Sequence, residues 1–337
     1  MKVLVSFQPN KNEDNFEGTR LRKSIKGSLE LSGVTYTSNP IDYFDVAHFI
    51  GVRDEKKIDE AIENNQAVVI SCLGCEEDVN ASILDVKIDR KGNRIFKLSS
   101  KALRVLNKAT LILVPNQLSK DFLIKEGVEK TIEITSPGVN LARFDFSRND
   151  EKDIFYRYYR EDKNKPLVVA VGRYSNTNGI TTFINAAKKC PNALFYYFGP
   201  NLKKAPLRIK SIIKSVPKNV KFKNIPTDDI YRSALINASV FVYPGYGLIG
   251  VVTLLEAMAA RCQIVVREQP IFEDIIVDGV NSYSGKYSET LTSVIKDCLE
   301  GKIASTVEKA YKYVQDFTLE KTGEKLKINY QQALNIK

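Results

Sequence analysis

A carboxylate on a helix that follows a glycine-rich turn is the arrangement in this chain best suited to chemistry. Residues 241–266 read FVYPGYGLIGVVTLLEAMAARCQIVV. The pattern is an apolar strand over 240–243, a turn holding Gly245, Gly247 and Gly250, a helix opening near Val251, and a second apolar strand over 263–267. The first N–H groups of such a helix lack intrahelical acceptors and sit at the positive end of its dipole, so Gly250, Val251 and Val252 could hold an anion such as a phosphate. Glu256 follows about one and a half turns in, where its carboxylate could accept hydrogen bonds from sugar or ribose hydroxyls. The same pattern also suits an ordinary βαβ unit.

The remaining candidates narrow the reaction types. His48 is the single histidine; at the end of an apolar strand it is either a satisfied structural residue or a group that meets substrate. One histidine and no GxSxG wording argue against a nucleophilic triad. Cys72 and Cys75 have CxxC spacing but no second pair, and the odd total of five cysteines in mostly apolar settings suits reduced thiols. Carboxylates are not clustered at metal-ligand spacing, so no metal or other cofactor is expected.

These residues need elements that bring strand ends together, and the hydropathy pattern supplies them. Apolar strand runs at 2–7, 44–50, 67–72, 110–114 and 131–135 alternate with helical patterns at 19–31, 55–63, 99–108 and 119–126. A polar stretch, SRNDEKDIFYRYYREDKNK, follows at 147–165. The alternation then resumes, with strands at 167–171, 193–198 and 220–222 and helices at 181–189, 207–215 and 228–237. Such order predicts two doubly wound parallel sheets, whose ligands bind at the carboxyl ends of the strands.

At 337 residues, 43% hydrophobic and 27% charged, the chain has the length and composition of two globular domains. Its formal charge of +10 favours a polyanionic partner. With no aromatic interleaving of the basic segments, nucleic acid is not the expected one. The N-terminus enters a strand with no signal-peptide layout and no run approaches a membrane span, so the expected location is cytoplasmic.

The stretch around Glu256 resembles the nucleotide-sugar loop of the retaining family-four glycosyltransferases: a Pro after a strand, a Glu, a spacer, and a second Glu followed by Ala-Met-Ala. Pro244 and Leu255-Glu256-Ala257-Met258-Ala259 match, whereas Leu248 stands at the first Glu position. Ser136-Pro137-Gly138-Val139-Asn140 resembles the family's Pro-Asn-Gly-Val-Asp turn, and Gly172-Arg173 with Gly179 its Gly-Arg loop. Asp278-Gly279-Val280-Asn281-Ser282-Tyr283 and Phe317-Thr318-Leu319-Glu320-Lys321 resemble two later family signatures.

The resemblance implies an α/β fold of GT-B type, with two facing Rossmann-like doubly wound domains and a cleft between them. The implied domains are 1–147 for the acceptor, a linker at 148–165, 166–316 for the nucleotide sugar, and a helix at 317–337 crossing back to the first domain. It also implies that Gly172 and Arg173 hold the donor diphosphate, that Glu256 binds the ribose and that Ile225 cradles the base. Catalytic roles fall on Arg173 and His48. Two family positions depart from the pattern: Asn178 replaces a lysine of the diphosphate site, and Ile50 replaces the second histidine of a His-x-His. The implied co-substrate is a UDP-sugar, with no metal.

Two basic segments bear on the acceptor. Arg20, Arg22, Lys23 and Lys26 surround an apolar stripe of Leu21, Ile25 and Leu29; Lys204 and Arg208 precede a stripe of Ile209, Ile212 and Ile213. Either the stripes pack on a sheet and water solvates the charges, or the charges rest on anionic lipid. Size, charge and general likeness resemble bacterial glycolipid glucosyltransferases that add a hexose to monoglucosyl-diacylglycerol, peripheral on the inner face of the cell membrane. The alternatives are a cell-wall, capsule or protein acceptor, or a non-catalytic partner protein.

Overall fold

The computed structural model describes residues 1–7, 16–73, 83–88, 94–145, 149–245, 250–268 and 275–337. They form two compact units: residues 1–138, 250–252 and 317–337, and residues 139–249 and 253–316.

The first unit is built on β1 (Lys2–Phe7), β2 (Thr35–Thr37), β3 (Val46–Ile50), β4 (Ala67–Ser71), β7 (Leu111–Val114) and β8 (Ile132–Ile134), with β5 (Leu84–Ile88) and β6 (Arg94–Leu98) as a separate antiparallel pair. The sheet runs β2-β1-β3-β4-β7-β8, every pair parallel. Its central strands are continuous apolar runs, AVVIS and LILV, because helices cover both faces of a parallel sheet. The helices are α1 (Phe16–Leu31), α2 (Glu55–Glu63), α3 (Ser100–Leu106) and α4 (Gln117–Lys125). Ser99 and Asn116 cap the last two by accepting bonds from Ala102 N–H and Ser119 N–H.

The second unit holds α5 (Asn149–Lys152), α6 (Ile154–Tyr159), α7 (Ile180–Lys189), α8 (Leu207–Lys214), α9 (Asp228–Asn237), α10 (Val251–Ala259), α11 (Ser288–Leu299) and α12 (Val307–Val314), the first residues of α10 counting with the first unit. Its strands are β9 (Leu167–Val171), β10 (Leu194–Gly199), β11 (Val220–Asn224), β12 (Ala238–Tyr243), β13 (Gln263–Arg267) and β14 (Tyr283–Gly285). They are ordered β11-β10-β9-β12-β13-β14, all parallel. Numbered within the unit, that order is 3-2-1-4-5-6, which places a switch point between β9 and β12, where the crossover direction reverses and ligands bind.

The last helix, α13 (Leu319–Ile336), lies in the first unit and packs along α1. Thr318 caps it, accepting from Lys321 N–H at 3.3 Å. The two backbones approach closely: a Cβ on Gly323 would collide with the Ser28 carbonyl, and one on Gly138 would lie 2.9 Å from Leu319 Cα.

Two sequence expectations change. The first unit's opening segment ends at Gly138 rather than at 147. The expected linker at 148–165 is part of the second unit: Phe155 and Tyr156 are buried, the Phe155 ring packs edge-on against Tyr196 at 4.8 Å, and Phe155 N–H donates to Ser233 Oγ at 2.9 Å. Charged residues around IFYRYY masked a short helix whose aromatic side chains cap the sheet.

Candidate functional site

At the switch point of the second unit the chain is locked from several directions. Gly172 follows β9 in the order Gly172-Arg173-Tyr174, and its missing Cβ leaves room for Tyr197 Oη and the Asn178 amide, which a Cβ would meet at 2.7 and 3.0 Å. Gly179 has φ +70°, and a Cβ there would overlap the Pro244 carbonyl, so the loop after β9 rests directly on the end of β12. Arg267, 2% exposed on β13, fixes the same carbonyl: its Nε donates to Pro244 O at 2.9 Å and its Nη1 to Lys286 O at 2.6 Å. Tyr174 Oη donates to Lys223 O, tying the loop to the end of β11.

Arg173 stands in this loop, half-buried, and among the described residues its guanidinium makes no ion pair. An uncommitted guanidinium at the carboxyl end of a parallel strand can clamp a phosphate by two parallel N–H bonds. Asn178 is used differently. It is 3% exposed, its Oδ1 accepts from Ser175 Oγ, and its main-chain oxygen accepts from Tyr197 Oη at 3.3 Å, so it braces the loop from inside. Ile225, just beyond β11, donates its N–H to Gly199 O at 2.8 Å, fixing the next loop along the same edge.

Glu256 lies on α10 with its side chain 4% exposed. Arg143, in the 3-10 turn Leu141–Phe144, donates to Glu256 Oε1 from Nη1 at 3.3 Å and to both Asp228 oxygens from Nη2 at 2.6 and 2.7 Å. Arg232, one turn beyond Asp228 on α9, donates to the Arg143 carbonyl at 3.3 Å.

Residues 151–316 match the family model described as glycosyl transferases group 1. The chain carries a group 1 glycosyltransferase domain. It is 27% identical to the processive diacylglycerol alpha-glucosyltransferase of Acholeplasma laidlawii, over 100% of both chains. Its fold matches a sucrose-phosphate synthase of Thermosynechococcus elongatus, with TM-score 0.75 and 14% identity over 100% of both chains. It also matches Anabaena HepE in complex with UDP-glucose, with TM-score 0.72 and 15% identity over 98% of this chain and 100% of the other. These likenesses give the expected fold class, α/β of GT-B type.

Gly172, Arg173, Asn178, Gly179 and Pro244 come together at the switch point, and Arg143, just before the matched segment, joins Glu256 to Asp228. Gly250, Val251 and Val252 open α10, with both valine side chains buried, so only their main-chain groups are available to a ligand. Leu248, Gly247 and Cys75 lie outside the described residues.

His48 does not have the expected catalytic setting. In the first unit it is 0% exposed on β3, with Nδ1 2.8 Å from Tyr330 Oη on α13 and Nε2 2.7 Å from Ser71 Oγ on β4. Burial pushes its pKa from 6.5 down to about 3, leaving it neutral at pH 7. The cavity beside it holds only about 30 Å³ and is lined mainly by apolar residues such as Leu21, Ile25 and Leu113. This is a satisfied core histidine joining three elements.

Arg20 is likewise corrected: it is 6% exposed and cannot face lipid. Leu21, Ile25 and Leu29 bury one face of α1, while Ser24 and Ser28, with Ser32 just past its end, are buried where α13 packs. Arg22, Lys23, Lys204 and Arg208 are exposed and Lys26 half-buried. Among the described residues no helix is long and apolar enough to cross a membrane.

Sequence reasoning missed Arg143, Asp228 and Arg267. Arg143 had a weak signal, three residues past the Gly-Val-Asn turn; Arg267 had none, since an arginine ending an apolar strand reads as a solvent-facing terminus.

Proposed function

We propose that this chain transfers glucose from UDP-glucose, with retention at the anomeric carbon, to a diacylglycerol-based glycolipid at a membrane surface. The carrying observation is that the likeness to a diacylglycerol glucosyltransferase runs the full length of both chains, so it extends beyond the donor-type domain. The likeness in fold to a protein bound to UDP-glucose supports the choice of donor.

In this reading the bond from the anomeric carbon to the UDP oxygen breaks while the acceptor hydroxyl oxygen bonds the same face of the sugar. The acceptor's proton passes to the departing diphosphate oxygen. Arg173 neutralises charge growing on that diphosphate. Glu256, oriented by Arg143, accepts from the ribose hydroxyls.

Purified protein incubated with labelled UDP-glucose and micellar glucosyl-diacylglycerol should give an α-linked diglucosyl lipid. No lipid product from any of a panel of UDP- and GDP-sugars would overturn the reading. A non-catalytic partner is the second reading, favoured by Asn178 filling the lysine position with a buried brace. It predicts UDP binding by calorimetry with no turnover of any UDP-sugar.

A further inference from the structure

Beside the edge strand β11, a groove of about 920 Å³ opens between α6 and α8. Arg160, Lys203, Lys210, Lys214 and Lys223 line it, no carboxylate does, and Ile225 and Pro226 close the end nearest the loop after β11. Among the described residues none of these cations has an ion-pair partner. The neighbouring Glu161 is turned away, accepting from Tyr196 Oη at 2.6 Å. Lys223 instead sits over the Tyr159 ring, 5.6 Å from its centroid. Like charges around one concavity repel each other and raise its positive potential, so the groove attracts an anion.

The apolar residues at its rim say which kind. Leu207, Lys210 and Lys214 stand at i, i+3 and i+7 of α8, one stripe of the helix, while Ile209 on the opposite side is buried in the core. Leu207 is 83% exposed and Tyr158, on the α6 side, 63%. An exposed leucine flanked by Lys203, Lys204 and Arg208 has the chemistry of a bilayer interface, where apolar side chains enter the acyl boundary and cations meet phosphates.

We infer that the groove between α6 and α8 is a headgroup site for anionic phospholipid, with Leu207 and Tyr158 entering the interface beside it. The choice of occupant rests on the lipid-acceptor reading above; the site does not depend on transfer taking place. It shifts membrane contact in this unit from Lys204 and Arg208 alone to the groove-side lysines.

The test is flotation of the full chain with phosphatidylcholine vesicles, with and without phosphatidylglycerol. Binding is expected only with phosphatidylglycerol. The double variant Lys210→Glu/Lys214→Glu should weaken it about tenfold or more. The pair Lys188→Glu/Lys189→Glu on α7 makes the same change of net charge on another exposed surface and should have less than about a twofold effect. Leu207→Gln should weaken binding without altering net charge, and unchanged thermal unfolding shows that each variant folds.

Equal loss in both charge-reversed pairs, or no binding to anionic vesicles, would overturn the site. So would binding of single-stranded RNA that the groove pair abolishes while vesicles fail to bind. Vesicle binding without sugar transfer would refute the transferase reading and leave the site standing. Transfer to lipid with vesicle binding intact in the groove pair would do the reverse.

Discussion

At the scale of single residues, Arg143 is the group whose loss tests the donor site most directly. Its fork spans Glu256 and Asp228, a geometry that lysine's single ammonium cannot copy. Arg143→Ala leaves a buried carboxylate without this guanidinium. Because Arg143 itself is 28% exposed, water relieves part of the cost, and about 1–2 kcal/mol of stability should be lost. Calorimetry should show UDP affinity falling about tenfold, with Arg143→Lys intermediate; unchanged affinity would mean that Glu256 does not hold the nucleotide. His48 makes a different prediction, of pH dependence. Its folded pKa is about 3 and its unfolded pKa about 6.5, so between these values the unfolded chain binds the extra proton. This contribution to stability is fully present above pH 6.5 and declines as pH falls towards 3, by about 1.4 kcal/mol per pH unit at the steepest. Urea unfolding at pH 7 and pH 5 should show a smaller acid loss for His48→Gln than for the wild type. Parallel losses would mean that the ring is not held neutral. From sequence, His48 was visible as a lone strand-end histidine, but the partners that make it structural, Ser71 and Tyr330, lie on other elements.

Among elements, the pairing of α1 with α13 rests on small residues. Gly323→Ala would drive a methyl into the Ser28 carbonyl and leave Ser32 Cβ only 2.9 Å away, so the helices must separate. A cost of about 2–4 kcal/mol is expected, read as a lowered midpoint of thermal unfolding. Gly33→Ala is the contrast: with φ +68° and nothing within 4 Å, it should cost only the left-handed penalty of about 1–2 kcal/mol. Equal effects would remove the close approach as the cause. The elements themselves were largely legible. Strands such as Leu167–Val171 and Gln263–Arg267 are buried on both faces, so they stand out as unbroken apolar runs, and helix Asp228–Asn237 carries acidic residues in its first turn. The three-residue β2 and the β5–β6 pair were not read, because short or half-polar strands carry little periodicity. The second buried face of α1 was missed although Ser24, Ser28 and Ser32 recur every fourth residue. That spacing signals a close helix partner only once the partner, about 290 residues later, is known.

For the whole molecule, the chain's two ends share one unit, and this sets how it should fail. The first unit comprises residues 1–138 together with 317–337, so neither stretch contains all its core. From α13, Leu326, Tyr330 and Ala333 join the cluster formed by Val3, Val5, Leu21, Ile25 and Val69. Asn329 Nδ2 donates to Thr135 Oγ1 at 2.6 Å and Gln332 Nε2 to Glu133 Oε1 at 3.0 Å, so the helix also holds the end of β8. Stopping the chain after Asp316 would expose this apolar surface, open the close-packed face of α1 and leave His48 without Tyr330. The residues it removes contribute nothing to the sheet of the second unit, whose core of Val168, Phe183, Phe195 and Tyr197 is closed by its own α7 and α11. Hydrogen exchange on the truncated chain should therefore lose protection in β3 and β4 while β9, β10 and β12 keep theirs. Uniform loss of protection would show that the two units unfold as one. Full protection of β3 and β4 would show that α13 is not needed to close the first core.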